Sequence, residues 1–386
     1  MKTRSKRTVF GVAGLASVLA LVILVAHARF GPAQSVPSAP APKMAEEAYK
    51  NIQVLKGVPA DQVIPAMQFI SASLGVECEY CHVEHAFDKD DKKPKQAARK
   101  MIQMMFAINK DNFNGHREVT CYSCHHGASD PVGTPLIADE ESKPEPRGAM
   151  NAGGTNSVAM PTADQLLEKF VQALGGADAL QKISSRVEKG TLTGFGGREL
   201  PVEVFAKAPD KRLSVMHLPN RDSITAYDGR VGWVGFPGRP PHEMSGGELE
   251  GARLDADFYF PVHVKQVFSQ LRVERPEKVD DPETYLVLGE NPGQPPMRLY
   301  FSQQSGLLVR LVRSVETPLG RNPTQIDYAD YRDAEGVKVP FRWTIARPGA
   351  RFTIQVDQIQ QNVPIDDAKF AKPSEPVTPA PNPTSP

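Results

Sequence analysis

Two short stretches hold every cysteine of the chain. Residues 76–85 read VECEYCHVEH and residues 119–127 read VTCYSCHHG, so all four cysteines among 386 residues fall in two copies of Cys-x-x-Cys-His. Such a pattern admits disulfides, a zinc site or covalent attachment of c-type haem. Spacing decides among them. A zinc site built from two Cys-x-x-Cys knuckles has no use for a histidine after each, and Cys81 and Cys121 lie farther apart than a zinc ribbon usually allows. In c-type attachment every position has a use. Cys78 with Cys81, and Cys121 with Cys124, form thioethers to a porphyrin, and His82 and His125 become the proximal iron ligands. Two residues between the thiols let one helical turn span the haem edge. The spacing therefore predicts two covalently bound haem c groups.

An iron held from one side takes a second ligand or keeps an open site. Methionine sulfur favours ferrous iron and raises the potential, which suits electron transfer. Met67 is the first candidate, in DQVIPAMQFISASLG, a short helix with Pro65 near its start and Gly75 as its C-cap, just ahead of Cys78. The second is one of Met101, Met104 and Met105 in PKQAARKMIQMMFAIN, a helix opened by Pro94. Helical spacing puts Met101, Met105 and Ile108 on one face, with Met104 beside them. Methionines on an apolar helix face are also ordinary core filler. What favours ligation is that each helix directly precedes a Cys-x-x-Cys-His.

The stretch KPKQAARKMIQMMFAINKDNFNGHREVTCYSCHHG resembles the tetrahaem cytochrome c subunit of purple-bacterial photosynthetic reaction centres, in which a helix of the type ARxMxxM precedes VTCYxCHxG. The resemblance singles out Met101 as the second sixth ligand. IPAMQFISASLGVECEYCH is similar to the preceding unit of that family and implies Met67. The likeness runs over residues 48–130, specific at the second motif and looser at the first. That family carries four haems and this chain has motifs for two, so the region looks like half of such a subunit. His116 falls near the family's position for a histidine that crosses over to a haem absent here, which leaves a structural or surface role as the simpler reading. His85 and His126 adjoin the motifs but are redundant as proximal ligands; they tune the haem surroundings or face water. The mixed-charge segment EHAFDKDDKKPKQAARK reads as a solvated loop rather than a docking surface.

The rest of the chain divides by composition. Lys+Arg 45 against Asp+Glu 45 leaves no net charge, which argues against a nucleic-acid binder. Residues 1–30 place Lys2, Arg4, Lys6 and Arg7 before an apolar run from Val9 to Ala26, the pattern of an export signal. The run is long enough for an uncleaved membrane anchor, while AHA before Arg29 offers a cleavage site. Residues 31–44 form a Pro/Ala-rich linker, 45–130 the dihaem domain, 131–161 a second linker, 162–372 a β-rich domain and 373–386 a disordered tail.

Within 162–372, a helical stretch gives way to segments such as VEVFAKA, RLSVMHL, TYLVLGE and RFTIQVDQIQ, which alternate apolar and polar residues. Asp228-Gly229 and Ser305-Gly306 supply turns between them. A pair of helices followed by a long antiparallel meander is similar, in topology, to the half-barrels of periplasmic lipoprotein carriers. That likeness implies a concave face for an apolar ligand, with Trp233, Phe236, Phe258, Tyr259 and Phe260 as lining; the simpler reading is that these aromatics fill a core. His217, His242 and His263 are scattered in sequence, and this half carries no enzyme motif.

The expected architecture is a multidomain protein: a mainly α dihaem cytochrome c module, then an α+β domain dominated by an antiparallel sheet. The expected function is that of an exported bacterial c-type cytochrome in the periplasm or on the periplasmic face of the inner membrane, passing single electrons between redox protein partners rather than catalysing a reaction. The alternatives are a dihaem peroxidase or oxidoreductase with an open axial site, and a haem-linked binder of an apolar ligand such as a lipid.

Overall fold

The computed structural model describes residues 43–131, 160–195, 198–219, 221–236, 239–279, 283–348 and 350–373. The expected N-terminal signal or anchor, nearly all of both linkers and the C-terminal tail lie outside these residues. Among the described residues no helix is long and apolar enough to cross a membrane.

The helical segment comprises α1 (Ala45–Ala48), a 3₁₀ turn (Ala60–Gln62), α2 (Val63–Leu74), α3 (Cys78–Cys81), α4 (Lys93–Asn112) and α5 (Tyr122–His125). Helix α2 ends as the sequence predicts, on Gly75 in the left-handed region at φ 64°. Pro94 lies in the first turn of α4, where its missing N–H costs nothing. The buried residues of α4 are Lys95, Ile102, Met105 and Asn109. Steps of seven, three and four place them in one stripe along the helix. Ile102 and Met105 join Leu55, Ala66 and Ile70 in a small core.

The stripe corrects one expectation. Met105 is 4% exposed and belongs to the core, whereas Met101 is 45% and Met104 48% exposed. At 100° per residue Met101 sits about 40° farther round the helix than Met105, enough to take it off the edge of the stripe.

The β-rich segment opens with α6 (Ala163–Ala173) and α7 (Ala177–Gln181). Its strands are β1 (Ser185–Phe195), β2 (Arg198–Lys207), β3 (Lys211–Leu218), β4 (Arg221–Tyr227), β5 (Gly232–Gly235), β6 (His242–Glu243), β7 (Gln270–Lys278), β8 (Glu283–Glu290), β9 (Met297–Ser302), β10 (Leu308–Thr317), β11 (Gly320–Ala334), β12 (Val337–Arg347) and β13 (Ala350–Gln361). All thirteen form one sheet in the order β6-β5-β4-β3-β2-β1-β13-β12-β11-β10-β9-β8-β7. Two antiparallel meanders are therefore joined where the first strand pairs with the last. Helix α6 lays Leu166, Leu167 and Phe170 onto Leu299, Phe301 and Leu308 of the sheet.

Two helices interrupt the expected continuous meander, α8 (Gly246–Ala256) and α9 (Phe260–Val267). The sequence of α8, GGELEGARLDA, has two leading glycines and almost no amphipathic period. It is held from outside: the Arg313 guanidinium of β10 forks onto both carboxylate oxygens of Asp255 at 2.6 and 2.7 Å.

The hairpin of β10 and β11 meets the helical segment. Leu319 at its tip is fully buried and completes the small core of α2 and α4. Gly320 lies so close to Phe69 that a Cβ there would stand 2.4 Å from the ring. The Asn322 side-chain amide donates to Gln68 at 3.0 Å, and Arg117 donates to the Thr317 carbonyl and pairs with Glu316. A second close approach ties α2 to the second cysteine motif. The Gly127 N–H donates to the Ser73 carbonyl at 2.9 Å, and a Cβ on Gly75 would fall 2.1 Å from the Gly127 oxygen.

Two stability outcomes follow from these contacts. Leu319→Ala should cost about 2–5 kcal/mol in denaturant unfolding, as expected for a large side chain removed from a closed core. Gly75→Ala should cost at least about 1–2 kcal/mol for the left-handed backbone alone, with the carbonyl clash in addition. Wild-type unfolding curves for either variant would refute the corresponding contact.

Candidate haem site

Each cysteine pair spans one turn of helix. Cys78 and Cys81 open and close α3, and the His82 N–H donates to the Cys78 carbonyl at 3.0 Å. Cys121 stands just before α5 and Cys124 within it, with the His125 N–H donating to the Cys121 carbonyl at 3.1 Å. The two motifs thus fold alike, each placing its histidine one turn after its first thiol. All four thiols are free, Cys78 and Cys124 exposed. Burial pushes the thiols of Cys81 and Cys121 up from their ordinary values. Among the described residues no three His, Cys, Asp or Glu side chains converge as a metal-binding group.

The imidazoles are oriented the same way at both motifs. His82 Nδ1 lies 2.9 Å from the Phe87 carbonyl oxygen, and His125 Nδ1 lies 2.9 Å from that of Ala128. A carbonyl accepts only, so each Nδ1 carries the proton and each Nε2 is left with its lone pair. That is the tautomer an iron ligand needs. The loops that deliver these carbonyls turn through left-handed residues, His85 at φ 59° and His126 at φ 50°. His85 faces water beside Glu84, and the His126 ring packs edge-on against Tyr122.

Helix α4 supports both motifs. Near its start, the buried Lys95 ammonium donates to the Phe87 carbonyl at 2.9 Å and to that of Lys89 at 2.6 Å. Asp90 takes hydrogen bonds from Arg99 at 2.8 and 2.9 Å and from Asn51 at 3.0 Å. Arg99 first, then Lys95 and Asn51, hold its carboxyl far below the usual carboxylate range. Near the other end of α4, Asn109 donates to the Val119 carbonyl at 2.7 Å and accepts from the N–H groups of Glu118 and Val119. Those residues lead directly into Cys121. Neither Lys95 nor Asn109 stands out in the sequence as a site residue; each occupies a position of the apolar stripe that would ordinarily be hydrophobic, which is the one available signal.

The residues present fit haem. Ile64, Tyr80, Phe87, Met101, Met104, Phe113 and Tyr122 account for seven of the nine large apolar side chains left exposed among the described residues. Such a concentration around two cysteine motifs needs a cover. Porphyrin faces would supply one, and the free thiols and Nε2 atoms would supply the attachment. Met101 and Met104 both lie in this exposed set, while Met67 is half-buried at the edge of the small core. Met105, packed inside, has no free path to an iron. His116 is exposed, as a surface residue.

The β-rich half does not gather its candidate residues. Trp233 is buried with Leu213 and Phe370, its indole N–H donating to the Phe370 carbonyl at 2.9 Å. Phe258 packs in a second core and Phe260 in a third, Tyr259 donates to the Ile183 carbonyl, and Phe236 is exposed. Phe258 and Tyr259 meet edge-on with ring centroids 5.4 Å apart, while Trp233 and Phe260 lie in separate cores. A cavity of about 770 Å³ borders the 3₁₀ turn, α8 and β10, lined by charged residues such as Asp61, Arg253 and Arg313 and by apolar ones such as Leu254, Phe268 and Met297. His217, His242 and His263 each face a carboxylate of their own, Asp222, Glu248 and Asp257, at 2.8, 3.2 and 2.9 Å.

Known proteins resemble two parts of the chain. A cytochrome c-554 of Chloroflexus aurantiacus is 38% identical over 85 residues, 20% of each chain. A photosynthetic reaction center cytochrome c subunit of Thermochromatium tepidum is 35% identical over 103 residues, 25% of each. The aligned region thus spans a quarter or less of these two relatives' lengths. The large antiparallel sheet resembles a LolA superfamily protein from Nitrosomonas europaea, at 17% identity and a TM-score of 0.37, covering 55% of this chain and 99% of that one. Residues 16–189 match the family described as the photosynthetic reaction centre cytochrome C subunit, and the cysteine-bearing part of the chain is similar to that family of c-type cytochromes, which implies covalently bound haem c.

Proposed function

We propose that this chain is an exported c-type cytochrome that holds two haems and passes single electrons between redox protein partners. The observation that carries the reading is the repeated geometry of His82 and His125, each donating from Nδ1 to a backbone carbonyl and leaving Nε2 free. Cys78, Cys81, Cys121 and Cys124 would hold the porphyrins, and His82, His125, Met67 and Met101 would be the residues that ligate the irons. Haem iron so ligated exchanges one electron between its ferric and ferrous states. The protein's part is to fix both imidazoles, to supply thioether sulfur and to keep water from the porphyrin faces with its exposed apolar side chains.

Residues 45–130 act in this reading as the haem domain and residues 162–372 as the β-rich domain it docks on. The N-terminal basic and apolar segment supports a location in the periplasm or on the periplasmic face of the inner membrane. The similarity to reaction-centre cytochromes supports the electron-transfer class.

An optical spectrum of protein matured with a c-haem system, quantified per chain, should give two covalent haems and a ferric band near ~695 nm from iron–methionine bonding. Two haems that bind carbon monoxide when reduced would replace this reading with the open-site oxidoreductase. Absence of covalent haem would overturn the assignment of all four cysteines. Met67→His and Met101→His should each lower one midpoint potential, because imidazole favours ferric iron more than thioether does. An unchanged redox titration in both variants would refute the methionine ligands.

A further inference from the structure

The two histidine sites share one hydrogen-bond geometry and differ in charge. At the first site the Phe87 carbonyl receives two donors, His82 Nδ1 at 2.9 Å and Lys95 Nζ at 2.9 Å. The Lys95 side chain is 10% exposed and pairs with Asp90 at 3.0 Å. Asp90 is also gripped by Arg99, so two cations surround one carboxylate and the cluster keeps a net positive charge. At the second site the Ala128 carbonyl accepts from His125 Nδ1, and among the described residues no lysine donates to it.

We propose that Lys95 is a positioning residue for the first haem: by sharing the Phe87 carbonyl with His82 it raises that haem's potential and makes the two sites unequal. The inference rests on the dihaem reading above. Two physical effects act in the same direction. A carbonyl that already accepts from an ammonium has less electron density for Nδ1–H, so the imidazole gains less basicity and donates less strongly to iron. A buried positive charge also disfavours the extra charge of ferric iron, and it does so with little screening from solvent. Lys95 reaches this place by burying its methylene stem in the stripe of α4 and delivering only its head to the carbonyls. A surface lysine could not hold the same geometry, because water would compete for each bond.

The test is a spectroelectrochemical titration of full-length holoprotein carrying Lys95→Met, beside wild type. One midpoint should fall and the other stay in place, and the His82 ring N–H signal in the proton spectrum of the reduced protein should move downfield as its bond to Phe87 strengthens. Lys95→Arg should restore the midpoint, since it keeps both charge and donor. Lys95→Gln should give an intermediate shift, and it stands in if the methionine variant fails to mature. Two covalent haems with both midpoints unchanged in Lys95→Met and Lys95→Gln would overturn the role of Lys95 and leave the cytochrome reading intact. A chain without two covalent haems would instead remove the reading on which the inference rests.

Discussion

The buried stripe of α4 is the constraint on which the haem-binding half depends. Its middle, Ile102 and Met105, makes the small core with α2, and its ends are polar, Lys95 toward the first motif and Asn109 toward the second. Fourteen residues separate those ends, about 21 Å along a helix axis. One rigid rod therefore sets the backbone around both histidines. A buried lysine and a buried asparagine are costly unless every polar atom is satisfied, and here each is met by loop backbone. The cost of burying them becomes a constraint on the loops: a slip of α4 would leave an ammonium and an amide unpaired.

That half does not close its core alone. The core is Leu55, Ala66, Ile70, Ile102 and Met105, and Leu319 from the β10–β11 hairpin is its most enclosed large side chain. So small a core lends little stability by itself. The hairpin also flanks Met67 in sequence, touching Gln68 through Asn322 and Phe69 through Gly320. Contacts on both residues after Met67 limit how α2 can rotate, and the same helix is tied to the second motif by the Gly127 N–H on the Ser73 carbonyl. The sheet thereby acts as a mechanical base for the cysteine-bearing half.

Much of the candidate site was legible because Cys-x-x-Cys-His is a local pattern with a rigid grammar. Two thiols and a histidine must be close in sequence to be close in space, and Gly75 and Pro94 mark helix ends by backbone rules that tertiary contacts do not change. The sheet was legible for a similar reason, since alternation in β2, β3, β8 and β13 survives wherever one face is buried. What stayed hidden depends on contacts far apart in sequence. Leu319 lies between two strands and joins a core only because α2 and α4 pack against its hairpin. Helix α8 has no period to read, and its order comes from Arg313, 58 residues away. The separation of Met101 from Met105 turned on about 40° of helix rotation, finer than a two-state face assignment can resolve.

The asymmetry between the two sites was hidden for a subtler reason. Their motifs are nearly identical, and nothing in Cys-x-x-Cys-His says which carbonyl will receive the histidine proton. That choice falls to the loops after each motif, Val83 to Phe87 in one and His126 to Ala128 in the other, of different lengths and with different neighbours. The longer loop brings the first carbonyl under α4, within reach of Lys95; the shorter one closes back on its own turn. Two redox centres with equal surroundings would have equal potentials and no preferred direction of transfer between them. Unequal loops make the surroundings of His82 and His125 differ, so under the proposed dihaem reading the polarity of the pair would reside in loop length and one buried ammonium.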